Sequence, residues 1–219
     1  MLYEMDRFLP SVEDKEVRRE EELEIFSKLY RTNPIFRALI HSDDEECYDL
    51  LVRRLGKIPE KIIRRVLEFG VRFFAGGFDL EIKPSKLIIE AGGVCLGGYI
   101  PEQRLCYLSK EAFRWDMPEN LSLIPLAHAF DHSLGVDHCA SSADGSLFLW
   151  HYLECKADKI GHRFISEYAG KGPKQYFAQC MASYFSQDSF CGRERLKWED
   201  ESMYFYLDSF FRYYIKCVD

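Results

Sequence analysis

The stretch Leu126-Ala127-His128-Ala129-Phe130-Asp131-His132-Ser133-Leu134-Gly135 restricts the fold more than any other part of the chain. His128 and His132 are four residues apart, so on a helix they share one face and can converge on one ion. Pro125 limits how that helix begins, because proline costs ~3 kcal/mol in a helix interior but little in the first turn. The regular helix is therefore expected to start near Ser122 and to end at Gly135. Three of the chain's six histidines lie between residues 128 and 138, so any metal chemistry is expected to be centred here.

The surrounding pattern is helix, small sheet, helix. Residues 13–31 read as a charged amphipathic helix ended by Asn33-Pro34. Ser42-Asp43-Asp44-Glu45 is a capping box for a second helix through about Leu55, closed by Gly56. Pro59 opens a third, with Ile62, Ile63, Val66, Leu67 and Phe69 facing inward and Gly70 closing it. The period then changes: Phe78-Asp79-Leu80-Glu81-Ile82 alternates as a half-buried strand does, and Leu87-Ile88-Ile89 is a short apolar run. Gly97-Gly98-Tyr99-Ile100 and Arg104-Leu105-Cys106-Tyr107-Leu108 flank Pro101-Glu102-Gln103 as a hairpin. After the histidine helix, residues 139–146 read as a loop. Leu147 to Tyr168, Pro173 to about Phe185 and Trp198 to Cys217 read as helices. The predicted fold class is α+β, with a helical N-terminal segment over 1–57 and a mixed sheet packed with helices over 58–219.

A chain of 219 residues that is 47% hydrophobic has ample material for a core. Its net charge of −7 comes without a basic stripe, which argues against a nucleic-acid partner. The first residues lack a basic-then-apolar signal pattern, and no apolar run approaches the ~18 residues of a membrane helix. The eight cysteines are scattered; they are expected to be reduced thiols in a cytoplasmic protein, with a Cys95–Cys106 bridge across the hairpin as the exception to check.

Gly135 follows His132 by three residues and His138 follows Gly135 by three more. With the histidine pair this is the H-E-x-x-H-x-x-G-x-x-H spacing of zinc peptidases, with Ala129 in the position of the glutamate. Such an enzyme needs about three protein ligands and an open position for water. The ion lowers the water's pKa to roughly 7. A carboxylate then takes the proton and returns it to the leaving amine. Ala129 cannot do this, and loss of a general base typically costs ~10²–10⁴ in rate. The pair His128 and His132 with His138 could still hold an ion. Glu154, Asp158 or Asp131 are the carboxylates placed to substitute as base or ligand. The plainer reading, histidines hydrogen-bonded in a core and carboxylates on solvated helix faces, stands beside it.

Several stretches, in order, resemble the zincin metallopeptidases related to the anthrax lethal factor catalytic domain, which include the Pro-Pro endopeptidases. The resemblance covers roughly residues 58 to 215. Ile58-Pro59-Glu60-Lys61 resembles the helix start before the family's sheet, and Gly97 to Leu108 its edge hairpin. Leu126-Ala127-His128-Ala129-Phe130 resembles L-x-H-E-F. Tyr168-Ala169-Gly170-Lys171-Gly172-Pro173-Lys174-Gln175-Tyr176-Phe177-Ala178-Gln179 resembles Y-A-x-x-x-P-x-E-x-F-A-E. Tyr204-Phe205-Tyr206-Leu207 resembles the closing helix.

The resemblance implies a zincin fold with His128 and His132 as zinc ligands and Tyr168 as the residue that helps stabilise the oxyanion. It puts the general base at Ala129, the third ligand at Gln175 and a neighbouring glutamate at Gln179. A neutral amide is a poor zinc ligand beside a carboxylate. A second register is open, in which His128 to His132 align with the family's later Ala-x-Asp-His tail, and Ile124 and Pro125 replace the first His and Glu. Both registers lack the catalytic carboxylate. Three functions therefore follow as expectations: a catalytically degenerate zincin kept to bind a peptide or protein ligand, with or without zinc; an active zinc metalloendopeptidase using His128, His132, His138 and a relocated base; or a globular protein with structural histidines.

Overall fold

The computed structural model describes residues 32–77, 88–91, 94–114, 117–135, 147–157, 164–188 and 190–217. The expected helix over 13–31, the strand over 78–82, the loop over 139–146, and His138, Asp158 and His162 lie outside the described residues.

The architecture is α+β, as the sequence pattern predicts. A first helix, α1 (Pro34–Leu39), runs into a short strand, β1 (Ile40–Ser42). α2 (Glu45–Leu55) and α3 (Glu60–Glu68) follow, then β2 (Arg72–Gly76). β3 (Ile88–Ala91), β4 (Val94–Ile100) and β5 (Leu105–Ser109) complete the sheet. The second half holds α4 (Ile124–Ser133), α5 (Leu147–Ala157), α6 (Glu167–Gly170) and α7 (Pro173–Phe185). The chain closes with α8 (Arg193–Glu199) and α9 (Glu201–Cys217).

The helix starts have local causes. Asp44 caps α2, its carboxylate accepting the Cys47 N–H at 3.0 Å. Proline occupies the first turn of α1, α4 and α7, where its missing N–H costs no hydrogen bond. On α3, Ile62, Ile63 and Val66 are buried, the i, i+1, i+4 face the sequence assigns inward.

Five strands lie in the order β1-β2-β5-β4-β3. β1, β2 and β5 are mutually parallel, whereas β4 runs antiparallel to both β5 and β3. Parallel neighbours need a crossover rather than a tight turn, and α2 and α3 supply it between β1 and β2. The β4–β5 hairpin turns through a short 3₁₀ segment, Pro101–Gln103, with Arg104 left-handed at φ 50°. Gly97 is dictated by its neighbour strand: a Cβ there would lie 2.6 Å from the Tyr107 carbonyl oxygen.

Four sequence expectations are corrected. β1 and β2 are strands that the pattern did not reveal; Val71-Arg72-Phe73-Phe74-Ala75 lies directly behind a helix and its apolar run hides the alternation. The segment set apart before residue 58 is joined to the rest, since β1 pairs with β2 and Ile35, Leu39, Leu51 and Leu55 enter the same core cluster. The single helix from Leu147 to Tyr168 is not formed: Ser166 is extended at φ −160° and caps the separate short helix that carries Tyr168. The last helix begins at Glu201 rather than Trp198, after a separate unforeseen α8, and Asp200 between them caps it through the Met203 N–H at 3.0 Å.

α4 lies at the centre of the core. All of its residues but His132 are buried, because it packs against α7 on one side and β4, β5 and α3 on others. Phe130 is fully buried among Phe210, Phe211 and Tyr214 of α9. Arg65 of α3 donates to the Ser133 carbonyl and so satisfies an orphan acceptor at the end of α4. Gly135, at φ 94°, then turns the chain away.

Candidate functional site

α4 carries His128 and His132 on one face, as the spacing predicts. His128 is buried, at 3% exposure, and its Nε2 shares a hydrogen bond of 2.7 Å with the Tyr168 hydroxyl. His132 is half-buried; its Nδ1 is 2.8 Å from the Tyr99 hydroxyl on β4, and its ring lies edge-on to Phe69, at 5.0 Å between centroids. Tyr168 reaches the site from α6, whose first turn is held by the Ser166 hydroxyl accepting the Ala169 N–H at 3.1 Å. His128 and Tyr168 are in contact; His128 lies on the expected helix, and Tyr168 lies on the separate α6 rather than at the end of a helix from Leu147.

Electrostatics around the pair disfavour positive charge. Burial pushes His128 down to about 3, and the Lys174 ammonium adds to the effect. Burial, then Lys174 and Arg104, lower His132 as well. Both imidazoles are neutral near pH 7. Burial also raises the Tyr168 and Tyr99 hydroxyls, so both remain protonated.

The other expected positions lie nearby without supplying a carboxylate. Ala129 is fully buried in α4. Gln175 and Gln179 are buried on successive turns of α7, the helix packed against α4. Gly172 makes room for Gln175: a Cβ at Gly172 would lie 2.7 Å from its Oε1. Tyr168 and Gln179 both line a cleft of about 290 Å³ that also includes Asn120, Ile124 and Ser183. Of the candidate substitute carboxylates, Asp131 is buried and its charge bears on Tyr206 of α9, while Glu154 is exposed on α5.

Among the described residues the pair is surrounded by one amide and an ammonium and by no carboxylate ligand; His138, the third histidine of the spacing, lies outside them. Three-ligand hydrolytic sites of the two-histidine type add a carboxylate that offsets part of the ion's charge. Here positions 129, 175 and 179 offer none, and Lys174 adds repulsion.

A second cluster was not foreseen. His151 and Cys155 are four apart on α5, and both meet Asp200 at the α8–α9 junction. His151 Nε2 donates to Asp200 Oδ1 at 2.8 Å, and Cys155 Sγ lies 3.7 Å from the same nitrogen. Tyr176 of α7 donates to Asp200 Oδ2. The hydrogen bond to Asp200, then that to Cys155, raises His151 to about 10. Burial opposes ionisation of Asp200, but the bonds from His151 and Tyr176 outweigh it and the carboxyl is lowered. The spacing rule that singles out His128 and His132 applies equally to His151 and Cys155; Asp200, 45 residues on, carried no signal. The Cys95–Cys106 bridge is not formed: both are free thiols, Cys106 donating to the Pro125 carbonyl at 3.3 Å and Cys95 touching the Tyr107 hydroxyl.

The mixed sheet, with the β4–β5 hairpin inside it and β3 at its edge, the buried histidine helix and the helix packed against it form a zincin-type fold. Among solved structures the chain resembles that of the Pro-Pro endopeptidase PPEP-2 from Paenibacillus alvei. The likeness has a TM-score of 0.56 at 18% identity and covers 81% of this chain and 99% of that one. No protein-family model and no curated protein sequence matches the chain. Among the described residues no helix is long and apolar enough to cross a membrane.

Proposed function

We propose that this chain is a catalytically degenerate relative of the lethal-factor-like and Pro-Pro-type zincins, retained to bind a peptide or protein segment rather than to cut it. The observation that carries the reading is the state of the histidine pair. His128 and His132 are each hydrogen-bonded to a tyrosine hydroxyl, and positions 129, 175 and 179 carry no carboxylate. The likeness to an endopeptidase supports a peptide-like ligand. The cleft bordered by Tyr168 and Gln179 is lined by both polar and apolar residues, the mixture a peptide segment requires.

The test is cleavage of a diverse peptide library by the purified chain at matched zinc. No cleavage is expected. The double variant Ala129→Glu, Gln175→Glu restores a base and a ligand at the corresponding positions and is expected to gain zinc-dependent hydrolysis above the wild-type background. Cleavage by the unaltered chain that disappears in His132→Ala would overturn the proposal and favour an active metalloendopeptidase with a relocated base.

A further inference from the structure

The cluster formed by His151, Cys155 and Asp200 differs from the histidine helix in the property that matters most for a cation. It offers one imidazole nitrogen, one thiol sulfur and one carboxylate oxygen, all within 4.8 Å of one another. We propose that it binds a zinc-like divalent cation through these three donors, with a water in the fourth position, and so ties α5 to the α8–α9 junction.

Donor chemistry and geometry both support this. Zinc takes nitrogen, sulfur and oxygen ligands at about 2.0–2.3 Å, which in a tetrahedron places the donors about 3.3–3.8 Å apart. The Cys155 Sγ to His151 Nε2 distance of 3.7 Å lies inside that range. The 2.8 Å between His151 Nε2 and Asp200 Oδ1 is a hydrogen bond. Exchanging its proton for the ion opens that edge by only about 0.5 Å. Binding releases two protons, one from Nε2 and one from the thiol. It leaves a thiolate and a carboxylate against a double positive charge, so the buried site is neutral overall. The zincin-type pair supplies no negative charge from positions 129, 175 or 179 and faces Lys174 instead.

The carboxylate is held ready. Asp200 is 3% exposed; its Oδ1 accepts the Met203 N–H and its Oδ2 accepts the Tyr176 hydroxyl, which lies 3.9 Å from Cys155 Sγ. Such partners fix ligand orientation before the ion arrives. Cys155 is also buried, at 4% exposure. A cysteine–histidine–aspartate nucleophilic relay is excluded by connectivity. In a relay the carboxylate and the thiol sit on opposite ring nitrogens, whereas here both meet Nε2.

The experiment is metal analysis of the full chain with X-ray absorption at the zinc edge, repeated after cobalt substitution. About one ion per chain is expected, with one sulfur and otherwise nitrogen or oxygen neighbours, and a thiolate-to-cobalt charge-transfer band. Cys155→Ser should abolish the band, and His132→Ala should leave both band and stoichiometry intact. Chelation should lower Tm of the wild-type chain. Absence of bound metal after zinc reconstitution overturns the proposal, and so does a zinc shell without sulfur. An ion that survives Cys155→Ser but is lost with His132→Ala overturns it as well and returns the metal to the histidine helix. The absorption measurement on the wild-type chain decides even if Cys155→Ser fails to fold. None of these results depends on whether the chain cleaves peptides.

Discussion

Lowering the pH should destabilise this protein through His128, by an amount the structure defines. In the folded chain burial holds this imidazole at about 3; in the unfolded chain it titrates at its ordinary 6.5. The unfolded state therefore binds the proton first, and stability is lost as pH falls below 6.5. The loss continues until the folded value is reached. Each unit in that window is worth about 1.4 kcal/mol. Between pH 7.5 and 4.5 the contribution is about 2–3 kcal/mol, roughly a hundredfold in the unfolding equilibrium.

Urea unfolding of wild type and His128→Gln at both pH values isolates the effect. Glutamine can still hydrogen-bond the Tyr168 hydroxyl but does not titrate in this range. Carboxylates and His132 are common to both chains, so their contributions cancel in the difference. The wild-type chain should lose about 2–3 kcal/mol more than the variant over this interval. Chelator should leave that difference unchanged, because the cause is desolvation and not a bound ion. Parallel pH dependence in the two chains would refute the burial of a neutral His128, and a difference abolished by chelator would refute its cause.

Two further substitutions probe the same region. Tyr168→Phe removes the only hydrogen bond described for His128 Nε2 and should cost about 1–3 kcal/mol in urea unfolding; His128→Phe combined with it should recover part of the loss, and equal stability of wild type and Tyr168→Phe would refute the pairing. Phe130→Ala opens a cavity among Phe210, Phe211 and Tyr214 and should cost about 3–5 kcal/mol by the same assay; a cost under about 1 kcal/mol would show that α9 does not pack there as described.

Much of the fold was legible because its strongest signals are local. The start of α2 within Ser42-Asp43-Asp44-Glu45, the prolines that open α4 and α7, and the β4–β5 hairpin each depend on residues a few positions apart, whereas Asn33-Pro34 reads as a helix end and in fact opens α1. What the sequence concealed is non-local. β1 has three residues, too few for a period, and is a strand only because β2 lies beside it. The break at Ser166 was masked by apolar residues on both sides of it. The break at Asp200 reads as helix because a capping aspartate and a surface aspartate look alike until its partners are known.

The site divides along the same line. The face shared by His128 and His132 follows from spacing, but whether it holds an ion depends on charge brought from α7, and there the sequence positions carry amides and a lysine. The absence of carboxylates at positions 129, 175 and 179 is compatible with an intact zincin-type fold because α4 is held by apolar contacts. Ala127, Ala129 and Phe130 are fully buried, and the two imidazoles find tyrosine partners. A glutamate restored at position 129 would bring a charge next to buried apolar surface, at a cost of several kcal/mol unless a cation accompanied it. Ala129→Glu alone should therefore be destabilised without zinc and rescued by it, while the unaltered histidine helix should respond to neither. The packing that positions the histidines does not depend on a charge at positions 129, 175 or 179.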